Sequence, residues 1–172
     1  MMKLNLGSGD MILPGYINYD MNPTKRGDLQ TDVLGNVIDI TKHYKPETFD
    51  EILCAHVIEH FELKVAMKVI DDCHSLLKKN GRLVMEGPDI LGIIELYNVK
   101  HHIMNTPLKV VQQIYGSPTH IESGYEWLHK WGWTGETMSK AMSGVGFHIT
   151  HVGIGRTHGM GRRDYRVVGV RV

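Results

Sequence analysis

Residues 49 to 86 constrain the fold more tightly than any other stretch, because the hydrophobic period changes twice within them. Phe49-Asp50-Glu51-Ile52-Leu53-Cys54-Ala55 gathers its apolar residues as a buried strand does. Between residues 62 and 80, Ala66, Val69, Ile70, Cys73, Leu76 and Leu77 recur at steps of three and four, the stripe of an amphipathic helix. Lys78 and Lys79 suit the negative end of its dipole, and Asn80-Gly81 supplies a left-handed stop. Arg82 to Glu86 then reads as another strand, halted by Gly87-Pro88-Asp89. Strand, helix and strand in this order predict an α/β domain with a mostly parallel sheet.

The flanks extend the pattern. Met2 to Leu6 is a short first strand ended by Gly7-Ser8-Gly9-Asp10, Tyr16 to Tyr19 a second that closes on Asp20, and Leu29 to Val33 a third. Leu91 to Tyr115 is helical in two pieces, divided where Thr106-Pro107 supplies a cap and a first-turn proline. The aromatic stretch from Gly116 to Thr134 reads as a loop. Thr134 caps a further helix through Met138, Ala141, Met142 and Val145. Phe147 to Ile154 and Tyr165 to Val172 alternate like strands around a hairpin from Gly155 to Asp164.

Only nine residues join the first two strands and about eight the next two, whereas a crossover with its helix needs ten or more. The helices between the first three strands are therefore reduced and one sheet face is thinly covered, which leads us to expect a homodimer partner there. At 172 residues the chain is expected to form a single domain over residues 1–172. Its 19 basic and 19 acidic side chains cancel, so no overall field draws it to nucleic acid or to a membrane. No apolar run reaches membrane-spanning length, and the start lacks a secretory pattern. Cys54 and Cys73 make neither a disulfide framework nor a paired-cysteine zinc motif, which favours a cytoplasmic setting.

The glycine turn carries the first functional reading. Gly7 and Gly9 at the end of a first strand let a ligand approach backbone that a β-carbon would obstruct. Strand-ending glycine turns are common, so the acids that follow matter more. Asp20 closes the second strand, where a carboxylate accepts both hydroxyls of a ribose, and Asp32 closes the third, near an adenine amino group. The dinucleotide fingerprint wants a third glycine where Ile12 stands, and Asp10 sets a negative charge where a pyrophosphate would lie. S-adenosylmethionine has no phosphate and carries a sulfonium cation, so an acidic first turn suits it.

LNLGSGD, PGYINYD, FDEILCAHVIEHF, LLKKNGRLVMEGPD and the later HKWGWT and GVGF together resemble the small predicted class I S-adenosylmethionine-dependent methyltransferases of the type 11-like family. Some members of that broad group accompany glycan-biosynthesis genes. The resemblance implies a three-layer, Rossmann-like seven-stranded sheet with the last strand inserted antiparallel. By position it implies that Gly7 and Gly9 belong to the first cofactor motif, Asp20 binds ribose, and Asp32-Val33 lies on the adenine side. Ala55-His56 would sit at the fourth strand's exit, near the methyl donor. Asn5 stands where many relatives carry an acid.

His56-Val57-Ile58-Glu59-His60 is a literal HxxEH, which on a helix would bind zinc through His56 and His60 with Glu59 as base. Directly after a strand, His56 instead falls in the turn, so no metal is assigned and the zinc peptidase stands as the alternative. As a base, His56 would take the proton of an oxygen or nitrogen acceptor. His120, Tyr125, His129 and Trp131, with Trp127, form a candidate wall for a small-molecule acceptor, saccharides included, while Trp133 is expected in the core. Arg156, Arg162, Arg163 and Arg166 suit either an anion or a solvated hairpin tip. No Asn/Asp-Pro-Pro-aromatic or Pro-Cys element of base methylation occurs, so nucleic acid is disfavoured as acceptor. A non-catalytic cofactor-binding protein is the remaining alternative.

Overall fold

Leu4 and Leu6 of β1 (Lys3–Leu6) are wholly buried, and that burial sets the strand at the centre of a seven-stranded sheet. In this computed structural model, which describes residues 1–118, 127–157 and 161–172, β1 pairs in parallel with β2 (Ile17–Asp20) and with β6 (Phe49–Ala55). Leu4 lies opposite both Ile17 and Ile52. The strand β7 (Leu77–Pro88) continues in parallel beyond β6, and β9 (Asp164–Arg171) runs antiparallel between β7 and β8 (Phe147–Ile154). A two-residue strand, β5 (Val33–Leu34), borders β2, so the order is β5-β2-β1-β6-β7-β9-β8.

Two local expectations shift. The third strand divides: β3 (Lys25–Arg26) and β4 (Leu29–Gln30) form a separate antiparallel ribbon, and only Val33–Leu34 joins the main sheet. Gly27, at φ +63, permits that reversal. The helix α2 (Leu63–Leu76) stops short of Lys78 and Lys79. Leu77, fully buried, pairs with Phe49 instead, and burial of a leucine is worth about 1.5–3 kcal/mol, more than one helical residue gains from propensity. The left-handed Asn80 (φ +65) remains, but as a bend between the Leu77 and Arg82 pairings.

One face of the sheet carries the main core. Ala66, Val69, Ile70, Cys73 and Leu76 of α2 meet Leu4, Ile52, Cys54 and Met85, joined by Ile40 of the short α1 (Ile40–His43). Ile93 and Leu96 of α3 (Ile90–Asn98) form a smaller cluster with Met104, against which Val110 of α4 (Pro107–Tyr115) packs. Thr106 and Pro107 start α4 as expected. The helix α5 (Gly135–Val145) begins in a capping box between Thr134 and Thr137, ends at left-handed Gly146 and adds Met138 and Met142 to the main core.

The opposite face is thin, and no helix lies between β1 and β2. There Leu53, Ala55 and Val84 pack under Leu13 and Tyr16. Charge rather than apolar surface fills the rest: Glu51 pairs with Arg82, with Lys3 at 3.7 Å, and with the Tyr16 hydroxyl, while Glu86 pairs with Arg166. Among the described residues, no helix is long and apolar enough to cross a membrane.

Candidate functional site

The turn after β1 is tied to the end of β2. Gly7 N–H and Ser8 N–H donate to the Tyr19 carbonyl at 2.8 and 3.1 Å, and Gly9 N–H donates to the Asp20 carboxylate at 2.8 Å. The second Asp20 oxygen accepts from Asn22 N–H, also at 2.8 Å. Gly7 has φ +70 and its missing β-carbon would overlap Val57, so side chain and conformation both exclude other residues. Gly9, at φ +48, has open space where a β-carbon would stand. Packing against Val57 accounts for Gly7, while Gly9 leaves its backbone open to the cleft.

Across the cleft, β6 ends at Ala55 and the chain turns at His56. His56 takes the left-handed conformation at φ +56, uncommon for a residue with a side chain, while its N–H still bonds the Glu86 carbonyl at 2.9 Å. The turn aims its imidazole between two buried carboxylates: Nδ1 lies 3.4 Å from Glu59 and Nε2 3.3 Å from Asp164. Burial pulls its pKa down, but Asp164 and Glu59 outweigh that and push it up to about 9. The two carboxylates therefore favour the charged ring over the neutral form that a base needs. Asp164 is in turn gripped by the Arg163 guanidinium at 2.8 and 2.9 Å.

A 3-10 turn, Ile58–His60, follows, so His56 and His60 do not share a helix face and the HxxEH zinc-peptidase geometry is not formed. The Glu59 carbonyl accepts from Lys130 N–H at 2.7 Å and from Trp131 N–H at 3.3 Å, while His129 N–H bonds the Tyr115 carbonyl at 3.1 Å. These bonds fold the segment after α4 back over the turn. The His60 ring meets those of His129 and Trp127 edge-on, with centroids 5.0 and 6.1 Å apart. Burial holds His129 below the ordinary histidine pKa.

The resulting cleft encloses about 940 Å³ and is bordered by Gly7, Gly9, Asp20, Ala55, His56 and His129, together with Glu59 and His60. A recess of about 300 Å³ adjoins it, walled by Met21, Asn36, Val37, Val57 and Phe61. None of those five was singled out from sequence. Met21 was within reach, since it directly follows the acid closing β2; the others come together only in the fold. Asp32 and Val33 do not reach the cleft. Asp32 accepts from Asn18 N–H at 2.7 Å and from the Asn18 side chain at 3.1 Å on the wall of a separate groove, and Val33 packs against the core. The split of the third strand carries both away. Trp131 is 43% exposed and stands outside the cleft, Trp133 is buried in the core as expected, and His120 and Tyr125 lie outside the described residues.

Residues 17–85 match the family described as "Methyltransferase domain". No curated protein sequence matches the chain. In fold it is similar to a SAM-dependent methyltransferase from Archaeoglobus fulgidus, with TM-score 0.66 and 15% identity over 99% of this chain and 86% of that one. A SAM-dependent methyltransferase from Methanosarcina mazei gives TM-score 0.65 and 12% identity over 99% and 92%. The Burkholderia thailandensis 1,6-didemethyltoxoflavin-N1-methyltransferase, solved with S-adenosylhomocysteine bound, gives 0.62 and 10% over 99% and 71%. Sheet order and antiparallel β9 agree with these neighbours: the chain has the fold of the class I S-adenosylmethionine-dependent methyltransferases, and its residues 17–85 carry the match to the methyltransferase-domain family.

Proposed function

We propose that this chain transfers a methyl group from S-adenosylmethionine to an oxygen or nitrogen of a small-molecule acceptor, with saccharides the first class to test. The observation that carries the reading is one cleft holding both halves of such a site. Gly7, Gly9 and Asp20 line one side, and His56, Glu59, His60 and His129 the other. Asp20, held rigid by two backbone donors, is oriented to accept ribose hydroxyls. Met21, Val37 and Phe61 give the adjoining recess an apolar lining for an adenine ring, the part the sequence assigned to Asp32 and Val33.

When bound, S-adenosylmethionine supplies an electrophilic methyl group on a sulfonium. His56, clamped between Glu59 and Asp164, serves as a positioning residue that ties Glu59 at the cleft wall to Asp164 behind it. Trp127 and His129 supply ring surface on the acceptor side.

Calorimetry with S-adenosylhomocysteine tests the cofactor half. Wild type is expected to bind in the micromolar range and Asp20→Ala at least tenfold more weakly. Absence of binding by wild type at millimolar ligand would overturn the proposal. Release of S-adenosylhomocysteine across a panel of sugar nucleotides and phosphorylated metabolites then identifies the acceptor.

A further inference from the structure

We infer that Glu59, His60 and His129 form a site for a divalent transition-metal ion on the acceptor side of the cleft. Each residue offers one ligand atom, and the three atoms lie within 4.8 Å of one another. Ligands sharing an ion at about 2.0–2.1 Å stand roughly 3 to 3.5 Å apart, so side-chain rotation closes the set. Glu59 is only 3% exposed, and neither of its oxygens has a hydrogen-bond partner among the described residues; His56 Nδ1 approaches no closer than 3.4 Å. A buried carboxylate that accepts no hydrogen bond is costly, and a metal ion would add the close partner that His56, at 3.4 Å, does not supply. Nδ1 of His60 is likewise buried without a partner.

His129 is already prepared as a ligand. Its Nδ1 lies 3.1 Å from the Gln113 carbonyl, which can only accept, so the proton sits on Nδ1 and the ring's lone pair on Nε2. Ligating histidines are oriented by such an outer hydrogen bond. The bonds from Lys130 and Trp131 to the Glu59 carbonyl hold the His129 segment against the turn that carries the other two ligands. Two imidazoles and one carboxylate favour zinc, iron(II), cobalt(II) or manganese(II) over magnesium and calcium, and three protein ligands leave coordination positions open.

Resting on the methyl-transfer reading, this site narrows the acceptor class. The open positions suit a hydroxyl beside a second oxygen, as in a vicinal diol or a hydroxy acid. A hydroxyl bound there loses its proton to solvent water more readily. The acceptor oxygen then forms the new C–O bond with its freed electron pair as the S–CH3 bond breaks, leaving a neutral thioether.

Cobalt(II) titration of the full chain, stripped of metal with a chelator, tests the site through its d–d absorption. One equivalent is expected to saturate the bands at micromolar cobalt. His129→Ala and the near-isosteric Glu59→Gln are each expected to weaken binding at least tenfold, and exposed His148→Ala to leave it unchanged. No bands in wild type, or bands unaltered by either ligand substitution, would overturn the site. Circular dichroism confirms folding, and His129→Ala keeps the test decisive if Glu59→Gln does not fold. Calorimetry with S-adenosylhomocysteine on the same samples separates the two claims. Lost cobalt binding with retained S-adenosylhomocysteine affinity in the variants supports the metal site. Cobalt bound by a wild type that ignores S-adenosylhomocysteine would retain the site and remove only the methyl-transfer reading.

Discussion

Two glycines two residues apart do different work. Gly7→Ala would place a methyl group inside Val57 at φ +70, so a stability loss of about 1–3 kcal/mol is expected in urea unfolding. Gly9→Ala meets nothing in the protein and should cost only about 1–2 kcal/mol for its left-handed backbone. Its methyl group would instead stand at the cleft, so S-adenosylhomocysteine affinity should fall at least tenfold in a protein that still folds. Equal affinity in Gly9→Ala and wild type would show that the turn is structural alone. Asp20→Ala orphans the N–H groups of Gly9 and Asn22, and should lower stability by about 1–3 kcal/mol besides weakening cofactor binding. His56 shows the limit of reading one residue. Its position at the strand exit was legible, but its charge depends on Asp164, which arrives from β9.

At the scale of elements, local signals succeeded where nothing long-range competed. Thr134 caps α5 as the residue pattern predicts, and Thr134→Ala should cost about 1 kcal/mol, lowering the melting temperature by roughly 2–4 °C. Thermal unfolding followed by circular dichroism checks it; an unchanged midpoint would mean that tertiary packing alone holds the start of α5. The end of α2 went the other way. Lysines and Asn80-Gly81 compose a good helix stop, yet Leu77 left the helix early because Phe49 offered it a buried partner. The third strand failed for a related reason: Leu29 stays exposed, and Gly27 let it fold back on Lys25–Arg26.

Over the whole molecule, the thin sheet face is held by charge. Burial would raise the pKa of Glu51 and of Glu86. Tyr16 and Arg82 outweigh it at the first, Thr157 and Arg166 at the second, and both carboxyls stay below the ordinary 4.5. Their folded pKa is depressed, so the stability they add is present above pH 4.5 and lost as pH falls through the folded values. The melting temperature should hold steady from about pH 7 to 5 and then drop, with a smaller drop in Glu86→Gln; an equal drop would place the acid sensitivity elsewhere. A single cooperative transition is the expected signature of the proposed one-domain chain. The proposed partner subunit is tested by light scattering at micromolar concentration, where a monomer mass removes it. Hydrophobic period and turn chemistry are local, and they alone determined the strands β1, β6 and β7, the helices α2 and α5, and the glycine turn beside Asp20. Which side chains meet is a matter of long-range packing. Only the tertiary structure carried Asp32 away from the cleft, charged His56 through Asp164, and brought His129 onto Glu59, because each depends on contacts between segments that sequence neighbours do not encode.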